Sequence, residues 1–132
     1  MALTVHNMSV KAGKDLKITG VPQINAEGFT INLGQGDENI ALHFNVRFNQ
    51  HGDRRTVVFN SKHAGSWSSE QREKSFPFKE GEEFKVYVSF NKSTFQIKMP
   101  GNTVSFPNRF GANKFMFIQV LGDVRIKGFK IS

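Results

Sequence analysis

Three polar side chains at alternate positions, His43, Asn45 and Arg47, form a row of directional hydrogen-bonding groups within "LHFNVRFNQHGD" (residues 42–53). An outward strand face usually carries Thr, Lys, Ser and Glu, which water solvates cheaply. Here an imidazole, an amide and a guanidinium follow one another, and His51 and Asp53 stand a few residues on. Asn60, Trp67, Glu70 and Arg72 extend the set. This mixture suits a sugar. Hydroxyls donate and accept together, so Asn, His and Glu beside Arg satisfy a pair of adjacent hydroxyls in fixed geometry. The C–H face of a pyranose needs a flat aromatic partner, and Trp67 is the chain's only Trp.

Two other chemistries fit parts of the set. Glu70 with Asp53 imitates the carboxylate pair of a glycosidase. Arg47 and Arg72 are the expected neighbours of Glu70, however, and would keep it ionised, which makes a poor general acid. His43, His51, Asp53 and His63 include metal-ligand types, yet their spacing matches no recognised metal site. The sequence therefore predicts no catalysis, no metal and no cofactor.

The elements that position these residues are strands. Apolar residues recur with period two almost everywhere: Leu16 and Ile18, then Phe29, Ile31 and Leu33, then the runs "EEFKVYVSF", "TFQIKM", "FMFIQV" and "DVRIKGFKI". Turn signals such as "QHGDRR", "KHAGS" and "KEGEE" separate them. No stretch supports a long helix, and "SEQREK" reads as at most a bend between strands. The pattern predicts one domain over residues 1–132, all-β, with ten or eleven strands in a sandwich or barrel. In strand 39–48, alternation turns Ile40, Leu42, Phe44, Val46 and Phe48 inward and Ala41, His43, Asn45 and Arg47 outward. The polar row then steps roughly 7 Å per residue pair along an outer sheet face. If "RRTVVFN" pairs with this strand through "NQHGD", Asn60 joins the row beside His43.

"HFNVRF", "VVFNS" and "WSSEQRE", with their spacing, resemble the galectin family, specifically its single-domain prototype members. The likeness runs from about residue 3 to 132 and includes "INLGQG" and "FPNRFG". The resemblance implies a two-sheet antiparallel jelly roll that binds β-galactosides such as lactose and N-acetyllactosamine. It assigns His43, Asn45 and Arg47 to the galactose O4. Asn60 and Glu70 go to O6 and a hydroxyl of the neighbouring sugar, and Arg47 and Arg72 bridge to that sugar. It places Trp67 under the galactose, with His51 and Asp53 bordering the second sugar and orienting the arginines. Gly28, Thr30, Asn32 and Arg54 fall where longer oligosaccharides reach. Two positions depart from the pattern: Val46 stands where many members have Pro, and Ser68 where Gly is usual. A galectin-like structural or storage protein with vestigial binding is the competing reading.

The remaining composition narrows the partners. The 132 residues carry a net charge of +7, but the cations are scattered singly, with Arg54-Arg55 expected on a solvated turn. Residues 1–66 hold seven basic and five acidic side chains, the rest eleven and six, so no basic tract marks a nucleic-acid partner. No apolar run approaches a membrane span, and the N-terminus lacks a signal-peptide core. Cytosolic synthesis is expected, with the family resemblance implying export by a non-classical route. There is no Cys, hence no disulfide or thiol chemistry. The terminal runs "ALTVHNMSV" and "DVRIKGFKI" are apolar to their ends, and the resemblance implies a homodimer joined through these strands.

Overall fold

The alternating runs become twelve strands in a computed structural model that describes residues 2–132. They are β1 (Ala2–Lys11), β2 (Leu16–Pro22), β3 (Gly28–Gly36), β4 (Asn39–Gln50), β5 (Asp53–His63), β6 (Ser66–Trp67), β7 (Gln71–Glu73), β8 (Phe84–Phe90), β9 (Thr94–Met99), β10 (Asn102–Pro107), β11 (Lys114–Gly122) and β12 (Val124–Ile131). One sheet runs β1-β11-β3-β4-β5-β6, with β7 pairing β5; the other runs β10-β9-β8-β2-β12. All paired strands are antiparallel. The strand count exceeds the expected ten or eleven. Part of the excess is β7: residues 71–73 of "SEQREK" form a strand, not a bend, because they bond to Val57–Phe59 of β5.

Phenylalanine fills the space between the sheets. Phe29 stacks on Phe84 at 5.1 Å between ring centroids and meets Phe78 edge-on at 5.7 Å, while Phe44 stacks on Phe59 at 5.1 Å. Such offset and edge contacts let flat rings fill a sandwich without voids. Val46 belongs to the same core and is fully buried, so its side chain takes no part in the outer face.

Strict alternation fails at one end of β4. Leu42 pairs with Leu33, but Gly34 pairs with Ile40, so Ala41 is the extra residue of a bulge. Ala41 therefore joins the core cluster; Ile40 is buried, at 4% exposure, but stands outside that cluster. From Leu42 to Phe48 the expected parity holds, and His43, Asn45 and Arg47 share the outer face of the longer sheet.

Two tight turns set the register of the site strands. His51 and Gly52 have φ of 53° and 80°, and Ala64 and Gly65 have φ of 48° and 82°. Positive φ at both central residues gives two-residue hairpin loops whose twist matches the strands. The first pairs Gln50 with Asp53 and puts Asn60 opposite His43; the second pairs His63 with Ser66 and Lys62 with Trp67. Arg54 and Arg55 lie within β5, not on a turn. Arg55 pairs with Glu80 at 3.1 Å and packs over Phe48 and Phe76, so it is not merely solvated.

Candidate functional site

The outer face of β4 and β5 carries a groove of about 320 Å³. His43, Asn45, Arg47, His51, Asn60, Trp67 and Glu70 line it, together with Thr30 and Gln50. Seven of the nine principal candidates thus converge on one depression. The other two, Asp53 and Arg72, hold the groove wall. Asp53 Oδ2 accepts from Arg47 Nη1 and, at 2.9 Å, from Arg72 Nη1. Arg72 Nη2 donates to Glu70 Oε1 at 2.9 Å, and Arg47 Nη2 lies 3.8 Å from Glu70 Oε2. Two arginines and two carboxylates close a ring whose charges cancel. The hydrogen bonds from Arg72 and Arg47 hold the Asp53 carboxyl below the usual range, and those to Asp53 and Glu70 raise Arg72.

Arg47 and Asn45 are buried, at 8% and 3% exposure, although they form the groove floor. Each is satisfied by its neighbours, as buried polar groups must be. Arg47 Nε donates to Asn45 Oδ1 at 2.7 Å, and the Asn45 amide nitrogen contacts Phe29 O, Thr30 Oγ1 and Gln50 Oε1 at 3.1–3.2 Å. Asn60 accepts from the Ser61 N–H at 2.7 Å and donates to the Ser68 carbonyl at 3.0 Å, leaving one amide hydrogen free.

His43 is held neutral. Burial, reinforced by the charge on Arg47, lowers its pKa from 6.5 to about 4. Its Nδ1 lies 2.8 Å from Asn32 Oδ1; with the amide in this orientation Nδ1 is the donor and Nε2 an acceptor. The indole of Trp67 is 50% exposed. His43 lies 4.6 Å from it between ring centroids, and the Lys62 ammonium 5.2 Å from the ring centre. A large aromatic held open at a groove wall is not a core residue, and its exposed face is available for stacking.

Ser68 needs no special backbone conformation. It is not among the residues with positive φ, so the turn has no need of glycine there. Ser68 borders a separate cavity with Ser61, His63 and Arg109, and it serves the groove only through its carbonyl. Of the longer-oligosaccharide candidates, Thr30 lines the groove and Arg54 is exposed, whereas Gly28 and Asn32 are buried. Gly28 makes room: a Cβ there would lie 2.8 Å from Val46 O and inside the Gln50 amide.

Gln50 is the groove residue that alternation missed. Its parity matches Phe48, which is in the core. The N–H groups of Phe48 and Asn49 both donate to Glu27 O, a bulge that shifts the phase and returns Gln50 to the outer face.

A two-sheet sandwich bearing a pre-bonded polar groove beside an open Trp is the architecture of a sandwich lectin. The sequence profile described as galactoside-binding lectin matches residues 2–131. A beta-galactoside-binding lectin of Electrophorus electricus is 46% identical over 127 residues, 96% of this chain and 94% of the relative. The structure of CG-16, a homodimeric agglutinin from chicken liver, superposes with a TM-score of 0.97 at 38% identity, covering 100% of both chains. Lactose- and MES-liganded congerin II superposes at 0.95 with 35% identity, again over 100% of both. The chain belongs to the galactoside-binding lectin family.

Proposed function

We propose that this protein binds β-galactosides of the lactose and N-acetyllactosamine type in the β4–β5 groove and cross-links them as a homodimer. The observation that carries the reading is the triad His43–Asn45–Arg47, held in place by its own hydrogen bonds along one groove. An axial galactose O4 accepts from Arg47 and donates its single proton to His43 Nε2, while Asn45 Oδ1, which accepts from Arg47 Nε, holds the guanidinium beside it. The free amide hydrogen of Asn60 reaches toward O6, the sugar's apolar face lies on Trp67, and Glu70 and Arg72 meet the second sugar, with Asp53 orienting both arginines and His51 at the rim. Asn32 supports His43 from the neighbouring strand, Gly28 makes room for Gln50, and Thr30 and Arg54 are the groups a longer glycan would meet. The congerin II structure with lactose lends support. Binding needs no metal or cofactor, and no turnover follows. Asp53 is held ionised by its arginines, and both oxygens of Glu70 face guanidinium groups.

The dimer reading rests on the two edges. β1 ends one sheet and β12 the other, and a single residue, Asp123, separates β11, the neighbour of β1, from β12. Leu3, Val5, Ile126, Phe129 and Ile131 on these edges are only partly buried, a surface that a second copy would cover. Lys127, a candidate edge guard, is tied to Glu83 at 3.0 Å. CG-16 is described as a homodimeric agglutinin. Outward grooves on two copies give the valence that agglutination requires.

Trp67 is the only Trp, so intrinsic fluorescence reports directly on the groove. Lactose should change the emission with a dissociation constant of roughly 0.1–1 mM. An emission unmoved at saturating lactose would overturn the reading, and sedimentation as a monomer at micromolar concentration would remove the dimer.

A further inference from the structure

Four residues on four neighbouring strands stand in register across the sheet. Thr4 faces Gln119, Gln119 faces Asn32, and Asn32 faces His43. Their side chains bond in the same order. His43 Nδ1 lies 2.8 Å from Asn32 Oδ1, Asn32 Nδ2 donates to Gln119 Oε1 at 3.0 Å, and Gln119 Nε2 reaches Thr4 Oγ1 at 3.4 Å. Every donor in this row points away from the groove.

The direction matters because a neutral imidazole has one donor and one acceptor. Asn32 presents its oxygen to His43, so the ring proton stays on Nδ1 and Nε2 faces the ligand as an acceptor. Asn32 is 3% exposed, which leaves it no water to bond with in place of Gln119. Yet an amide has an oxygen end and a nitrogen end. The whole row therefore has a reversed arrangement with equally many bonds: Gln119 donates to Asn32, Asn32 donates to His43 Nδ1, and the ring proton moves to Nε2. Thr4, an exposed hydroxyl, closes the row in either direction.

We propose that Gln119 is a positioning residue of the groove: acting through Asn32, it sets the tautomer of His43 and so makes Nε2 an acceptor that selects a donating hydroxyl. The consequence for sugar selection rests on the function proposed above. The tautomer itself is a property of the ligand-free protein and is tested without sugar. Gln119 lies two strands from His43, about 10 Å away, and only partly buried, so it tolerates polar replacement.

Two variants of opposite hydrogen-bonding character decide the matter. A carboxylate only accepts and an ammonium only donates. In Gln119→Glu, Asn32 keeps its present orientation; in Gln119→Lys, Asn32 must turn. The reading is the ring-nitrogen NMR of His43 in the free protein at neutral pH, followed by lactose titration. The parent and Gln119→Glu should carry the ring proton on Nδ1, and Gln119→Lys on Nε2. Lactose binding should be nearly unchanged in Gln119→Glu and about two- to tenfold weaker in Gln119→Lys, the worth of one net hydrogen bond. Should Gln119→Lys not fold, Gln119→Met, which neither donates nor accepts strongly, should show a mixture of tautomers. A ring proton fixed on Nδ1 in Lys and Met variants alike overturns the proposal. If the tautomer switches but no variant, parent included, binds lactose, the relay stands and the proposed function falls.

Discussion

Arg47 Nε donates to Asn45 Oδ1 across 2.7 Å, so two residues that would share one ligand hydroxyl already hold each other. Neither is free to reorient when sugar arrives. Asn45 is bonded on its other side to Phe29, Thr30 and Gln50, and Arg47 to Asp53. The ordering cost that binding would otherwise carry is met during folding, and it leaves the interaction stronger for so small a ligand. Arg47→Ala removes the charged donor and leaves Asn45 and Asp53 short of partners. Calorimetry with lactose should show a loss of about 2–4 kcal/mol, close to complete at accessible concentrations.

Trp67 separates binding from stability. Half its surface is open, so Trp67→Ala removes only part of the packing of a core Trp, chiefly against His43 and Lys62, and should lower the unfolding free energy by about 1–2 kcal/mol. The stacking surface for the sugar is lost, and lactose affinity should fall by about 2–4 kcal/mol. Thermal melts and calorimetry on the same variant check both halves.

Acid should act through His43. The unfolded chain takes up a proton near pH 6.5, whereas the folded ring holds off protonation until about pH 4 because burial and then Arg47 oppose the charge. The unfolded state therefore binds more protons within that window. This contribution to stability is complete above pH 6.5 and is lost as pH falls toward 4. Lactose affinity should stay level down to about pH 5 and then drop as Nε2 becomes a donor. Melting temperatures and titrations across this range test the sign. A drop in affinity centred near the ordinary His value would contradict the buried, neutral ring.

Gly28 should accept no side chain without cost. A Cβ would lie 2.8 Å from the Val46 carbonyl, which is locked in the β3–β4 ladder, and would displace Gln50 from Asn45. Gly28→Ala should destabilise by about 1–3 kcal/mol and weaken lactose binding as well. Denaturant unfolding with a parallel titration would show the two losses together.

The groove was legible where alternation is unbroken. His43, Asn45 and Arg47 keep one parity, and the two-residue turn at His51-Gly52 carries that register to Asn60, so pattern alone assembles them. It failed at irregular backbone. Bulges turn Ala41 into the core cluster and bring Gln50 to the outer face, and neither shift leaves a periodic trace. The strand at Gln71–Glu73 is too short to show a period; pairing to β5 alone defines it. The Gln119–Asn32–His43 row was equally hidden. It joins positions 87 and 11 residues apart in sequence, and only strand order makes them neighbours.

The central claim is that the His43–Asn45–Arg47 triad recognises an axial hydroxyl at C4 of the terminal sugar. Lactose and cellobiose differ only in the configuration of that one carbon. Calorimetric titration of both into the parent protein tests the claim most directly. Lactose should bind at roughly 0.1–1 mM, and cellobiose should give no measurable heat. Equal affinity for the two disaccharides, or none for lactose, would contradict it.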